Sequence, residues 1–276
     1  PGRPRPSLGW RRGGPRPGAG PHGASRVTAW AYLDHPGPIP FAHRGGASEH
    51  PENTMPAFEH AVNLGYRYLE TDAHTTGDGV LVAFHDPILD RVTDRHGIIA
   101  QLPWETVSKA RLGHAGIPLM EDLLTAWDDI RVNIDLKHDA CVAPLVEVIE
   151  RTKTHDRVCA ASFSGKRLAR FRALTGNRVC TAIGPMDIAR LRRAGYRTRP
   201  CDLPGACAQV PVRQGRILIV DRRFVDGAHR SGLPVHVWTI NDEAEMDRLL
   251  DLGVDGLMTD RPTLLKEVLV RRGQWV

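Results

Sequence analysis

Apolar and polar positions along this chain follow two periods that take turns. Short runs with strand character lie at 39–43, 68–75, 80–85, 131–136, 158–163, 178–183, 206–210, 235–240 and 256–259. Between them lie stretches whose apolar residues recur at helical spacing. Thr54 opens one as a cap, Ala57, Phe58, Ala61, Val62 and Leu64 form its stripe, and Gly65 closes it. Further helices are predicted over 121–127, 141–152, 166–174, 186–195, 224–231, 243–252 and 261–270. Residues 86–118 are polar and irregular, with only short apolar patches.

Strand–helix units repeated over about 240 residues predict an α/β fold, a closed (β/α)8 TIM barrel. Nine strand-like runs compete for eight staves, and 80–85 is the one assigned to a hairpin over the barrel mouth. A doubly wound open sheet is the alternative, but no G-x-G-x-x-G follows a strand. The predicted organisation is a tail and lead-in over residues 1–37 and a barrel over 38–276.

Charge changes the picture at one end. The net charge of +5 reflects residues 1–26, which hold six arginines, no acid, seven glycines and six prolines. That composition reads as a disordered basic tail. Without it, 31 basic residues face 32 acidic ones, so no nucleic-acid partner is expected for the folded part. No secretory signal or transmembrane segment is apparent. Five cysteines, odd in number and without C-x-x-C spacing, fit reduced thiols in a cytoplasmic protein and argue against zinc. The oligomeric state stays open.

Candidate chemistry gathers at 42–86. His43-Arg44-Gly45-Gly46 places an imidazole, a cation and two permissive residues where a strand leaves the core. In the run 68–75, Glu70 and Asp72 share one face, about 7 Å apart, and repel unless a cation sits between them. Gly77-Asp78-Gly79 signals a hairpin, and folding about it sets position 85 opposite position 70, bringing His85 beside Glu70. Farther on, Asn133, Asp135 and Lys137 share a face by the same period of two.

In a barrel of this kind chemistry collects at the carboxyl ends of the strands. Those ends present His43, Arg44, Glu70, Asp72, Asp135, Lys137, Ser162, Trp238, Asn241 and Asp260. Hard carboxylates without a cysteine cluster suit Ca²⁺ or Mg²⁺. Arg44 and Lys137 suit a phosphate, one as a planar fork and the other as a point charge. Two histidines suit a proton relay. A lone strand-end histidine is ordinarily structural, and Trp238 alone would be ordinary core packing. Two histidines flanking an E-x-D are not so easily explained. Together these residues describe metal-assisted cleavage of a phosphoester.

From about Ile39 to about Glu267, this ordered set resembles the glycerophosphodiester phosphodiesterases. It comprises His43-Arg44-Gly45-Gly46, Pro51-Glu52-Asn53-Thr54, Glu70-x-Asp72, His85-Asp86, Asp135-Leu136-Lys137, Val237-Trp238-Thr239-Ile240-Asn241 and Thr259-Asp260-Arg261-Pro262. The resemblance implies a phosphatidylinositol-phospholipase-C-like barrel that releases an alcohol and glycerol 3-phosphate from small glycerophosphodiesters. It implies a divalent metal on Glu70, Asp72 and Asp135, His43 as general base and His85 as general acid. Arg44 and Lys137 would grip the phosphate, and Trp238 would line the glycerol side. The family usually has Glu where this chain has Asp135. Two other functions are weighed: lysophospholipase-D-like cleavage of a larger phospholipid, which an exposed apolar rim would favour, and a catalytically silent phosphodiester-binding barrel.

Overall fold

Parallel strands alternate with helices around a closed barrel in the computed structural model, which describes residues 30–195 and 199–276. The disordered tail expected over 1–26 lies outside the described residues. The strands are β1 (Ile39–His43), β2 (Tyr68–Thr75), β3 (Leu81–Ala83), β4 (Arg131–Leu136), β5 (Val158–Ala161), β6 (Cys180–Thr181), β7 (Ala208–Pro211), β8 (Val235–Trp238) and β9 (Gly256–Thr259). Hydrogen-bonded neighbours run β6-β5-β4-β2-β1-β9-β8-β7. A parallel bridge between Ala182 and Cys207 joins the two ends, with Ala206 N–H donating to the Thr181 carbonyl at 2.8 Å. The eight-stave barrel is therefore closed, as expected, and the open sheet is excluded.

Strand β3 pairs with β2, antiparallel and off the barrel path, as assigned from sequence, and Val82 makes a further antiparallel bridge to Leu119. Its register differs from expectation by one residue. Ala73 faces Ala83, and Phe84 N–H donates to the Asp72 carbonyl at 2.9 Å, so position 85 falls opposite 71 rather than 70. The turn spends three residues, Gly77 to Gly79, because Gly79 N–H closes on the Thr76 carbonyl. Three staves are also shorter at their carboxyl ends than the apolar runs suggest. The run past β5 ends at Ser164, which caps the next helix, and leaves Phe163 in solvent.

Outward-facing strand residues pack under the helices in two large clusters, while Phe41, Tyr68, Cys159, Cys180, Cys207 and Met258 fill the barrel itself. The lead-in folds with it. Tyr32 is buried among these interior residues, and Tyr68 Oη donates to its carbonyl at 2.8 Å. All five cysteines are free thiols. Residues 86–118, read as irregular, carry a small core of their own around Leu89, Ile99, Val107 and Leu112. Among the described residues no helix is long and apolar enough to cross a membrane.

Candidate active site

Strand β1 ends on His43, and the chain then turns through Arg44, Gly45 and Gly46 with φ of 52, 81 and 103°. A Cβ on Gly45 would stand 2.8 Å from the Ala57 backbone, so only glycine lets this turn cross the helix Met55–Asn63. The turn leaves His43 facing a cavity of about 730 Å³ at the carboxyl ends of the staves. Arg44, Glu70, Asp72, His85, Asp135, Lys137 and Trp238 line the same cavity, so the structure brings together all eight residues singled out from sequence.

Each histidine is clamped at Nδ1. His43 Nδ1 lies 2.6 Å from Asp260 Oδ1, and His85 Nδ1 lies 2.6 Å from Asp86 Oδ1. Asp260 is in turn held by Asn241 Nδ2 at 2.7 Å, and Asp86 by Arg91 Nε at 2.5 Å. A carboxylate on Nδ1 fixes the tautomer and leaves Nε2 to work in the cavity. His43 Nε2 points toward Glu70, 3.7 Å from Oε2. Burial alone would lower the His43 pKa, but Glu70 and the Asp260 hydrogen bond outweigh it and the net shift is upward. The Arg91 hydrogen bond leads the causes that take Asp86 down to about 2.

The carboxylates stand on neighbouring staves. Asp72 of β2 is in register with Asp135 of β4, and Glu70 with Asn133. Lys137 Nζ sits 2.7 Å from both Asp72 Oδ1 and Asp135 Oδ2. Burial raises both aspartates, yet Asp72 ends below its usual value and Asp135 above it. The partners explain the split. Asp72 also has Arg44 Nε at 3.1 Å and Asn53 Nδ2 at 3.0 Å, whereas Asp135 Oδ1 is buried without a hydrogen-bond partner. Burial pushes Glu70 up to about 7 against the opposing pull of His43. Burial lowers the Lys137 pKa, but the two aspartates more than compensate and hold the ammonium charged.

The donor chemistry fits a hard divalent cation. Glu70 and Asp135 are buried carboxylates whose pKa is raised by burial despite His43 and Lys137 beside them, and one Asp135 oxygen has no hydrogen-bond partner. Lys137 bridges Asp72 and Asp135 here. Among the described residues, no three His, Cys, Asp or Glu groups lie close enough together, as the side chains stand, to hold a metal ion.

Sequence reasoning assigned no role to several residues that make contacts here. Glu52 accepts from Arg44 Nη1 at 3.1 Å and also pairs with Arg91 at 2.7 Å. Asn53 braces Asp72 while accepting from Thr71 Oγ1 at 2.8 Å. His74, left without a role, is buried, and its Nε2 lies 2.9 Å from the His85 carbonyl oxygen. Burial takes its pKa down to about 4, so the neutral ring donates that hydrogen bond. Ser162, one of the strand-end candidates, donates to the Leu136 carbonyl at 2.9 Å and ties two loops together.

The other side of the cavity is mostly apolar, with Arg192, Gln209 and Gln214 among its lining. Phe163, Ile183, Pro185, Ile188, Pro211, Ile217 and Ile219 line it, beyond Trp238.

Residues 43–264 match the glycerophosphoryl diester phosphodiesterase family. The chain is 42% identical over 253 residues to the probable glycerophosphodiester phosphodiesterase 2 of Mycobacterium tuberculosis, a match covering 88% of this chain and 95% of that one. It is 27% identical over 266 residues to a lysophospholipase D of Rattus norvegicus, covering 83% and 85% respectively. In three dimensions it is similar to an Oleispira antarctica phosphodiesterase solved with the product sn-glycerol-3-phosphate, with a TM-score of 0.73 at 23% identity, covering 85% and 97%. That last likeness speaks to the fold.

Proposed function

This chain belongs to the glycerophosphoryl diester phosphodiesterase family, and on that premise we propose that it hydrolyses glycerophosphodiesters to an alcohol and sn-glycerol 3-phosphate with two histidines and a divalent metal. The observation that carries the mechanism is the matched pair of imidazoles, each held by a carboxylate at 2.6 Å and both lining one cavity.

Glu70, Asp72 and Asp135 would hold Ca²⁺ or Mg²⁺. When bound, such an ion neutralises phosphate oxygens and acidifies the attacking hydroxyl. Arg44 and Lys137 orient the phosphate, and Trp238 lines the glycerol side. His43, the more enclosed ring at 15% side-chain exposure, takes the proton of the nucleophile. His85, 33% exposed, stands nearer the open mouth through which the head group leaves, and protonates the departing alkoxide. Asp260 stabilises the imidazolium that forms as His43 takes its proton, and Asp86 the imidazolium from which His85 gives one. Five unpaired cysteines support a cytoplasmic location.

One observation favours a second substrate class. Ile183, Pro185, Ile188 and Ile219 form a hydrocarbon wall beside the catalytic groups, suited to the acyl chain of a lysophospholipid. The test is release of glycerol 3-phosphate from glycerophosphocholine, with EDTA and with Ca²⁺ or Mg²⁺ restored. Turnover that EDTA abolishes and either ion restores supports the first reading. Turnover confined to lysophosphatidylcholine supports the second, and activity indifferent to EDTA overturns the metal assignment.

A further inference from the structure

The near balance of charge in the body of the chain conceals a strong separation. Residues 162–230 carry fifteen Lys and Arg against four Asp and Glu, whereas residues 30–161 carry eleven against twenty. The basic segment supplies the loops after β5, β6 and β7, which form one side of the mouth. The segment after each strand raises one large apolar side chain into solvent: Phe163 at 67% exposure, Met186 in the first turn of the helix Pro185–Ala194 at 74%, and Ile217 in a short hairpin at 63%. Lys166, Arg213 and Arg216 are exposed beside them, and none is paired with a carboxylate among the described residues. Arg213 and Ile217 belong to one short hairpin, in which Gln214 faces Ile217 and Arg213 faces Leu218.

We propose that this crest is a docking surface for an anionic phospholipid bilayer, with Phe163, Met186 and Ile217 entering the interface and Lys166, Arg213 and Arg216 meeting the head groups. Three bulky apolar tips on separate segments, with unpaired cations close in the chain to Phe163 and Ile217, combine the two attractions that hold a peripheral protein on an acidic membrane. Charge argues against the other occupants. Residues 1–26 carry six arginines and no acid, so they repel the crest, and a second copy packed face to face would set arginine against arginine. The Phe163 ring meets Trp238 edge-on, 5.7 Å between centroids, so docking would set the cavity mouth against the lipid. The inference concerns binding, and its test is independent of which phosphodiester is cleaved.

The full chain would be sedimented with phosphatidylcholine vesicles and with vesicles that also contain phosphatidylglycerol. The expected result is binding to the anionic vesicles only, weakening as salt rises. Phe163→Ser with Met186→Ser, and separately Arg213→Glu with Arg216→Glu, should each lower partitioning about tenfold or more. Thermal unfolding of each variant at the wild-type temperature shows that the fold survives. If a double variant does not fold, bromine-labelled lipid quenching of a tryptophan introduced as Ile217→Trp provides the same readout, and no quenching overturns the proposal. So do equal binding to neutral vesicles, no binding to either, binding unaffected by both variants, or a solution dimer lost on the same substitutions.

Discussion

Staves β1, β2 and β4 end in charge, whereas β5, β6 and β7 lead into hydrocarbon. On the charged side most groups are held by another: His43 by Asp260, Asp260 by Asn241, Asp72 by Arg44, Asn53 and Lys137. On the apolar side the residues hold little beyond van der Waals contacts, and several are open to water. The contrast assigns different duties. Preorganised charge in a buried wall stabilises a transition state, because it does not have to reorganise during the reaction. On the proposed reading, the hydrocarbon surface would meet whatever the phosphate is attached to, contributing to affinity without touching the reacting atoms.

Breaking the charged side should have the largest effect. His43→Ala or His85→Ala is expected to cut kcat on glycerophosphocholine by about 10²–10⁴-fold with the fold intact by circular dichroism. Asp260→Asn leaves the shape in place but frees the His43 tautomer. It should lower kcat by about 10²-fold with little change in KM. Glu70 and Asp135 sharpen the same side: replacing either by its amide should weaken restoration of activity by added Ca²⁺ or Mg²⁺ after EDTA, read as a higher ion concentration for half-maximal rate. Gly45→Ala tests the turn that aims His43. With φ of 81° and a Cβ 2.8 Å from Ala57, it should cost about 1–3 kcal/mol in urea unfolding.

The apolar side should respond more gently and only to some substrates. Ile188→Ala removes part of the hydrocarbon wall. It should raise KM for lysophosphatidylcholine by about five- to tenfold while leaving glycerophosphocholine hydrolysis within about twofold. An equal loss on both substrates would show that the wall supports the catalytic groups and not the chain.

Much of the charged side was legible in sequence because strand periodicity is local. Glu70 with Asp72, and Asp135 with Lys137, share faces by counting in twos, and His43 marks a strand end by the glycines that follow it. Its partners were less legible. Asp260 meets His43 across 217 residues, a contact that exists only once β9 closes beside β1. Asp86, Glu52 and Asn53 sat inside recognisable motifs, yet their roles depend on how the loops after β1 and β3 fold together. The apolar side was illegible for another reason. Phe163, Met186 and Ile217 look like core residues in any hydropathy pattern, and only the paths of their segments in the fold expose them. The hairpin register missed by one because a three-residue turn and a two-residue turn share the same glycines.

The division of labour between the two histidines offers the most direct test. His43→Ala and His85→Ala would be compared on a glycerophosphodiester whose head group is replaced by a nitrophenol, which departs without a proton. The account predicts that His85→Ala recovers most of the wild-type rate on this substrate while His43→Ala stays impaired. Recovery by His43→Ala instead, or by neither, would contradict it.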